Sequence, residues 1–213
     1  MDFDNMFGNV MDILIPDEFQ TKVLPSPEEV DYWNSREQRT FFIDYNIEED
    51  NRLLELGKTI VNMNLKELSI PEEELKPIFL WIHSYGGDID QAQFFADLIE
   101  TSRIPIVTIG MGVVMSAGFI IFLSGKRRYA FKHSQFLAHA GSATVSGTAS
   151  EVEEFQKNYK KQVARMGEHI ISHTAIDQKT YSRNKNKDWY LSGDELTKYK
   201  IVDSMIENFK DIK

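Results

Sequence analysis

Ser116 lies in the stretch Gly112-Val113-Val114-Met115-Ser116-Ala117-Gly118, a hydroxyl among small residues between two apolar runs. An apolar run, a glycine-punctuated turn and a second apolar segment can lift a nucleophile onto a sharp strand-to-helix turn, and small neighbours let a substrate backbone come close. Acyl transfer by serine needs three further parts. These are an imidazole to take the hydroxyl proton, a carboxylate to orient that imidazole, and N–H donors for the developing oxyanion. His139 follows Phe136-Leu137-Ala138 and precedes Ala140-Gly141, at the open end of a strand-like run. Asp188 precedes the apolar run Trp189-Tyr190-Leu191, which would tuck it against the core. Among Arg183, Lys185 and Lys187 the default reading is a solvated acid. The N–H of Ala117 follows the serine directly. A second donor could come from the Gly86-Gly87 turn, where no Cβ blocks approach; its alternative reading is a plain turn.

The other histidines have different settings. His169 and His173 are four residues apart on an expected helix, a spacing that can hold a metal. No carboxylate or third ligand is evident for them in the sequence, so surface or packing roles are expected. His83 beside the glycine pair and His133 in a turn read as structural. The chain has no cysteine, which excludes disulfides, thiol nucleophiles and thiolate metal sites and is compatible with a reducing cytoplasm.

The surrounding chain must position these groups. Its 213 residues suffice for one ordinary domain plus extensions, and 42% hydrophobic against 27% charged residues reads as globular. A formal net charge of −9 argues against a nucleic-acid partner, which needs a basic face; the compact run Lys126-Arg127-Arg128 reads as a solvated turn. The acidic start Met1-Asp2-Phe3-Asp4 lacks the basic region of a secretory signal. Ile104 to Gly125 is uncharged and long enough to span a membrane, but Pro105, Gly110, Gly112, Ser116 and Gly118 divide it into strand, turn and buried helix, so no membrane association is expected.

Residues 1–38, broken by Pro16, Pro25 and Pro27, read as an N-terminal arm with one short helix. Strands are expected at Arg39–Tyr45, Ile78–Ile82, Ile104–Ile109, Arg128–Phe131, Gln135–Ala138 and Ile201–Ile206. The strand at Ile78–Ile82 is apolar on both faces, as for a strand covered on both sides. Helices are expected over Glu48–Asn64, after Asp88 and after Ser116. A final helix should begin at Ser192 with Glu195 as its partner. The longest helix, about 149–174, starts at a capping box of Thr148 with Glu151 or of Ser150 with Glu153. It carries the stripe Val152, Phe155, Tyr159, Val163, Met166 and Ile170, which reads as a helix projecting from the domain. Alternation of strand and helix makes the class α/β.

Taken together, Ile82-His83-Ser84-Tyr85-Gly86-Gly87, the Ser116 stretch, Gly125-Lys126-Arg127-Arg128, Phe136-Leu137-Ala138-His139, Gly147, His173-Thr174, Asp188-Trp189-Tyr190-Leu191-Ser192 and Tyr199-Lys200-Ile201-Val202-Asp203-Ser204 resemble the proteolytic subunit of the Clp protease family. The resemblance runs over residues 39–207 in one order, with Gly87 29 positions before Ser116 and Asp188 49 after His139. It implies a crotonase-like fold of repeated β-β-α units with a protruding handle helix. It assigns the nucleophile to Ser116, the base to His139, the orienting acid to Asp188 and the oxyanion donors to Gly87 and Ala117. It further implies a serine endopeptidase acting on peptides or unfolded proteins, with no metal or organic cofactor. Homo-oligomers of stacked heptameric rings, a partner unfoldase ATPase of the AAA+ class and a cytoplasmic location belong to the same expectation. The chain departs from the family pattern at Tyr85, where proline is usual. It departs again at Ala140-Gly141, where Gln-Pro is usual, at Ala117, and through residues 1–38. Those departures leave other readings open: a weak or inactive ring subunit with an assembly or regulatory role, a crotonase-fold enzyme acting on acyl-coenzyme A, or a phage-type processing protease.

Overall fold

Apolar β-branched runs separated by amphipathic helices have one economical arrangement, a parallel sheet with helices on its flank. The computed structural model describes residues 25–48 and 51–212, and the chain divides after Glu37 into two compact units. In the first unit, helix α1 (Pro27–Glu37) starts at a reciprocal capping box. Ser26 N–H donates to the Glu29 carboxylate at 2.8 Å, and Glu29 N–H donates to Ser26 Oγ at 3.2 Å. Residues 1–24 of the expected arm lie outside the described residues.

The second unit runs β1 (Thr40–Ile43), α2 (Asn51–Lys66), β2 (Ile78–Ser84), α3 (Ile89–Thr101), β3 (Ile106–Met115) and α4 (Ala117–Leu123). It continues with β4 (Arg127–Phe131), β5 (Gln135–Ala138), α5 (Ala149–His173), α6 (Gln178–Asn184), β6 (Trp189–Ser192), α7 (Asp194–Lys198) and β7 (Ser204–Ile206). The main sheet has the order β1-β2-β3-β4-β7, all parallel, while β5 pairs with β3 and β6 pairs with β5.

Strand β3 is longer than the expected Ile104–Ile109, and its extra length is what builds the site. Its first half, Val107–Gly110, pairs with β4; its second half, Val113–Met115, leaves β4 and pairs with β5. Gly110 and Gly112 do not end the strand but turn it between these partners, with Gly112 at φ +74°. The two limbs followed by α4 form a β-β-α unit. Every residue of α4 is buried, including Phe119, Ile121, Phe122 and Leu123 at 0% exposure, as an all-apolar helix requires.

One face of β2 (Ile78, Leu80, Ile82) is sealed in the core, but Phe79 and Trp81 on the other are only half-buried against a small cluster of Val107, Ile109, Tyr129 and Ile206. Coverage on both faces is therefore unequal. The last elements also differ from expectation. Ser192 ends β6, and α7 starts after Gly193 without a side-chain cap. β7 covers only Ser204–Ile206, because Ile201 and Val202 turn back onto the Leu196 carbonyl. No helix among the described residues is long and apolar enough to cross a membrane.

Candidate active site

The β3–β5–β6 register draws Ser116, His139 and Asp188 together. Met115 pairs with Leu137, so the residues just past both strand ends are neighbours, and Ser116 N–H donates to the Leu137 carbonyl at 2.9 Å. Strand β6 runs antiparallel to β5 with Ala138 opposite Trp189, which sets Asp188 beside His139. The result is a continuous chain of contacts. His139 Nε2 lies 2.8 Å from Ser116 Oγ, and His139 Nδ1 lies 3.3 Å from Asp188 Oδ1. A carboxylate only accepts, so Nδ1 carries the imidazole proton and Nε2 is left to accept from the serine hydroxyl. Ser116 sits at φ 53° and ψ −119°, a backbone region that non-glycine residues rarely occupy and that clusters at functional turns. Its carbonyl already accepts from Phe119 and Ile120 N–H, so α4 begins at the serine, and Ala117 at the first helical position keeps an N–H outside the helical ladder.

The Gly86-Gly87 turn is pressed against this serine. A Cβ on Gly86 would lie 2.7 Å from Ser116 Cβ, and one on Gly87 would lie 1.8 Å from the Ile47 carbonyl oxygen; their φ angles are +96° and +143°. Only glycine fits both constraints. The turn is braced on the Ile47 side, where Ile47 N–H donates to the Gly86 carbonyl at 2.8 Å and Asp88 N–H donates to Ile47 at 2.6 Å.

Asp188 reaches His139 without being tucked into the core, since its side chain is 60% exposed. Of the apolar run after it, Leu191 alone is fully buried and Tyr190 is half-exposed. Ala140, at the departure from the usual Gln-Pro, is held from two sides. Ala140 N–H donates to the Lys185 carbonyl at 3.0 Å, and Tyr159 of α5 donates its hydroxyl to the Ala140 carbonyl at 3.3 Å. Neither partner was legible as a support for His139 in the sequence. His83 is structural, with Nδ1 2.8 Å from the Met111 carbonyl oxygen.

The His169–His173 pair does acquire a carboxylate. Glu100, from the end of α3, faces both rings, and one ligand atom from each of the three lies within 4.8 Å of the others. Burial and the adjacent His173 ring hold His169 at a pKa of about 4. At neutral pH its imidazole is uncharged.

The Clp protease family profile matches residues 47–209. A Treponema denticola protein named ATP-dependent Clp protease proteolytic subunit 2 is 32% identical over 162 residues, 74% of this chain and 81% of the relative; its Treponema pallidum namesake is 28% identical over the same coverage. A ClpP1 mutant structure from Listeria monocytogenes superposes with a TM-score of 0.70 at 24% identity, covering 85% of this chain and 98% of that one, and so shares the fold. A profile spanning most of the chain and a relative this similar place this protein in the Clp protease family.

Proposed function

We infer that this chain is a serine endopeptidase that cleaves peptides or unfolded proteins inside an oligomeric chamber. The observation that carries the reading is the unbroken Asp188–His139–Ser116 chain at 3.3 and 2.8 Å, ending on a strained serine. In the reaction His139 Nε2 takes the Ser116 proton as Oγ attacks the scissile carbonyl. The N–H groups of Ala117 and Gly87 stabilise the oxyanion. The tetrahedral species collapses as His139 returns the proton to the leaving amine, and water then repeats the sequence to release the acyl group from Oγ. Asp188 keeps the proton on Nδ1 throughout.

The handle helix supports assembly. Its inner residues Met166 and Ile170 are buried in the single chain, whereas Phe155 is exposed and Val152, Tyr159 and Val163 are half-covered. An apolar stripe left open along a projecting helix suits packing on further copies, as stacked heptameric rings would require. An aromatic surface of Phe42, Trp81, Phe131 and Phe209, with Phe209 69% exposed, is available to a partner such as an AAA+ unfoldase. A cytoplasmic setting belongs to this reading.

The competing reading is a ring subunit without activity, suggested by Tyr85 and Ala140-Gly141. A fluorophosphonate or β-lactone probe separates the two, because only an activated serine acylates. Mass spectrometry should find the adduct on Ser116, and Ser116→Ala should abolish labelling. A folded, oligomeric chain that takes no label would favour the inactive subunit.

A further inference from the structure

Three helices end at one point. Glu100 is in the last turn of α3, Ser124 caps the end of α4, and His173 closes α5. The negative ends of three helix dipoles therefore converge where Glu100, His169 and His173 meet. Glu100 Oε1 lies 3.5 Å from His169 Nδ1 and 3.2 Å from His173 Nε2. In a tetrahedral site with ligand bonds of about 2.0–2.1 Å, ligand atoms stand about 3.3 Å apart, so both edges through the carboxylate are already at the right length.

The outer ring nitrogens decide what the inner ones offer. His169 Nε2 lies 3.2 Å from the Ile120 carbonyl oxygen, and His173 Nδ1 lies 2.9 Å from the His169 carbonyl oxygen. Carbonyls only accept, so they match the tautomer in which the outer nitrogens carry the protons and the inner nitrogens present lone pairs to a metal ion. The carboxylate they face also only accepts. It is held in place by the Ser124 hydroxyl, which donates to Glu100 Oε1 at 3.2 Å. Three lone-pair donors thus converge, each oriented by a hydrogen bond behind it, the outer arrangement that supports metal-binding histidines. Arg128 is the fixed cation nearby. It serves the Leu123 and His173 carbonyls at 3.2 and 2.7 Å and leaves the Glu100 carboxylate to the histidines.

We propose that Glu100, His169 and His173 form a binding site for a divalent transition-metal ion of the zinc class, joining α3 to the base of the handle helix. Two imidazoles and one carboxylate suit Zn²⁺, and the partial exposure of Glu100 leaves the fourth position to water. The site lies at the opposite end of α4 from Ser116, about 12 Å away at 1.5 Å per helical residue, and takes no part in the peptidase chemistry.

The test uses the full, tag-free chain, stripped with a chelator and dialysed. Zn²⁺ is titrated against a chromophoric competitor, and Co²⁺ is read by its visible spectrum. One equivalent of Zn²⁺ per chain is expected, with a tetrahedral Co²⁺ band and a higher melting temperature. Glu100→Gln and His173→Gln, each checked for an unchanged metal-free circular dichroism spectrum, should each weaken binding by about a hundredfold and remove the band. Absence of a stoichiometric site in the wild-type chain, or binding that both variants retain, would overturn the proposal.

Discussion

The Ser116 amide donates to the Leu137 carbonyl at 2.9 Å, and this single bond ties the serine turn to the strand that ends one residue before His139. The meeting of Ser116, His139 and Asp188 builds on that join. The end of β3 carries the serine, the end of β5 carries the histidine, and β6 returns antiparallel to bring the acid.

The strand that leads into His139 is fixed from beneath by aromatic packing. Phe136 contacts Phe122 and Phe119 of α4 at centroid distances of 4.8 and 5.8 Å, and all three are fully buried. Phe136→Ala should cost about 4 kcal/mol of stability, read by denaturant unfolding, whereas Phe136→Leu should cost less than about 1.5 kcal/mol and retain the fold. Equal losses in the two variants would show that β5 is not seated by this cluster.

The glycine pair has no room for a side chain. Gly87→Ala would drive a Cβ into the Ile47 carbonyl oxygen, and Gly86→Ala would push against Ser116 itself. Gly86→Ala also meets the Met115 carbonyl oxygen at 2.7 Å, so it should lower both kcat and melting temperature, and Gly87→Ala should lower stability further. Full peptidase activity in Gly86→Ala would remove the turn from the site.

Asp188 is 60% exposed, so water competes for its role. Asp188→Asn keeps the shape but stabilises the wrong imidazole tautomer, and it should lower kcat by roughly 100-fold or more while KM changes little. Wild-type kcat in Asp188→Asn would mean that another group orients His139.

Much of this site was legible locally. A serine among small residues, a histidine at a strand end and an acid before an apolar run are each visible within a few residues, and their order and spacing carry the resemblance. The contacts that complete the picture come from pairing between distant segments. Strand β3 changing partners at Gly110–Gly112 hides in a run that reads as a turn. Tyr159 reads as one more residue of an apolar stripe, yet its hydroxyl braces Ala140 beside His139. Glu100 lies on another helix, so no spacing could pair it with His169 and His173. The Ser192 start of the last helix failed because β6 claims that residue for its ladder with Gln135.

The capping box of α5 titrates with a defined sign. Thr148 N–H and its hydroxyl donate to the Glu151 carboxylate at 2.7 and 2.9 Å, and these bonds hold its pKa below the ordinary value. A folded pKa depressed in this way gives stability that is present above the unfolded value and lost as pH falls through the folded one. The first turn of α5 should therefore fray in acid. A carboxyl NMR titration should place Glu151 below a free glutamate, and Thr148→Ala, which removes the hydroxyl but keeps the N–H donor, should raise it part of the way back. An unchanged midpoint in Thr148→Ala would contradict the box.

The central claim is that Ser116 is the nucleophile, and the most direct measurement is peptide hydrolysis by purified wild-type and Ser116→Ala chains matched for oligomeric state. The wild type should turn over substrate, and Ser116→Ala should lose about a millionfold in kcat, down to the assay background, as for removal of the serine from a Ser-His-Asp triad. Hydrolysis by Ser116→Ala at the wild-type rate would contradict it.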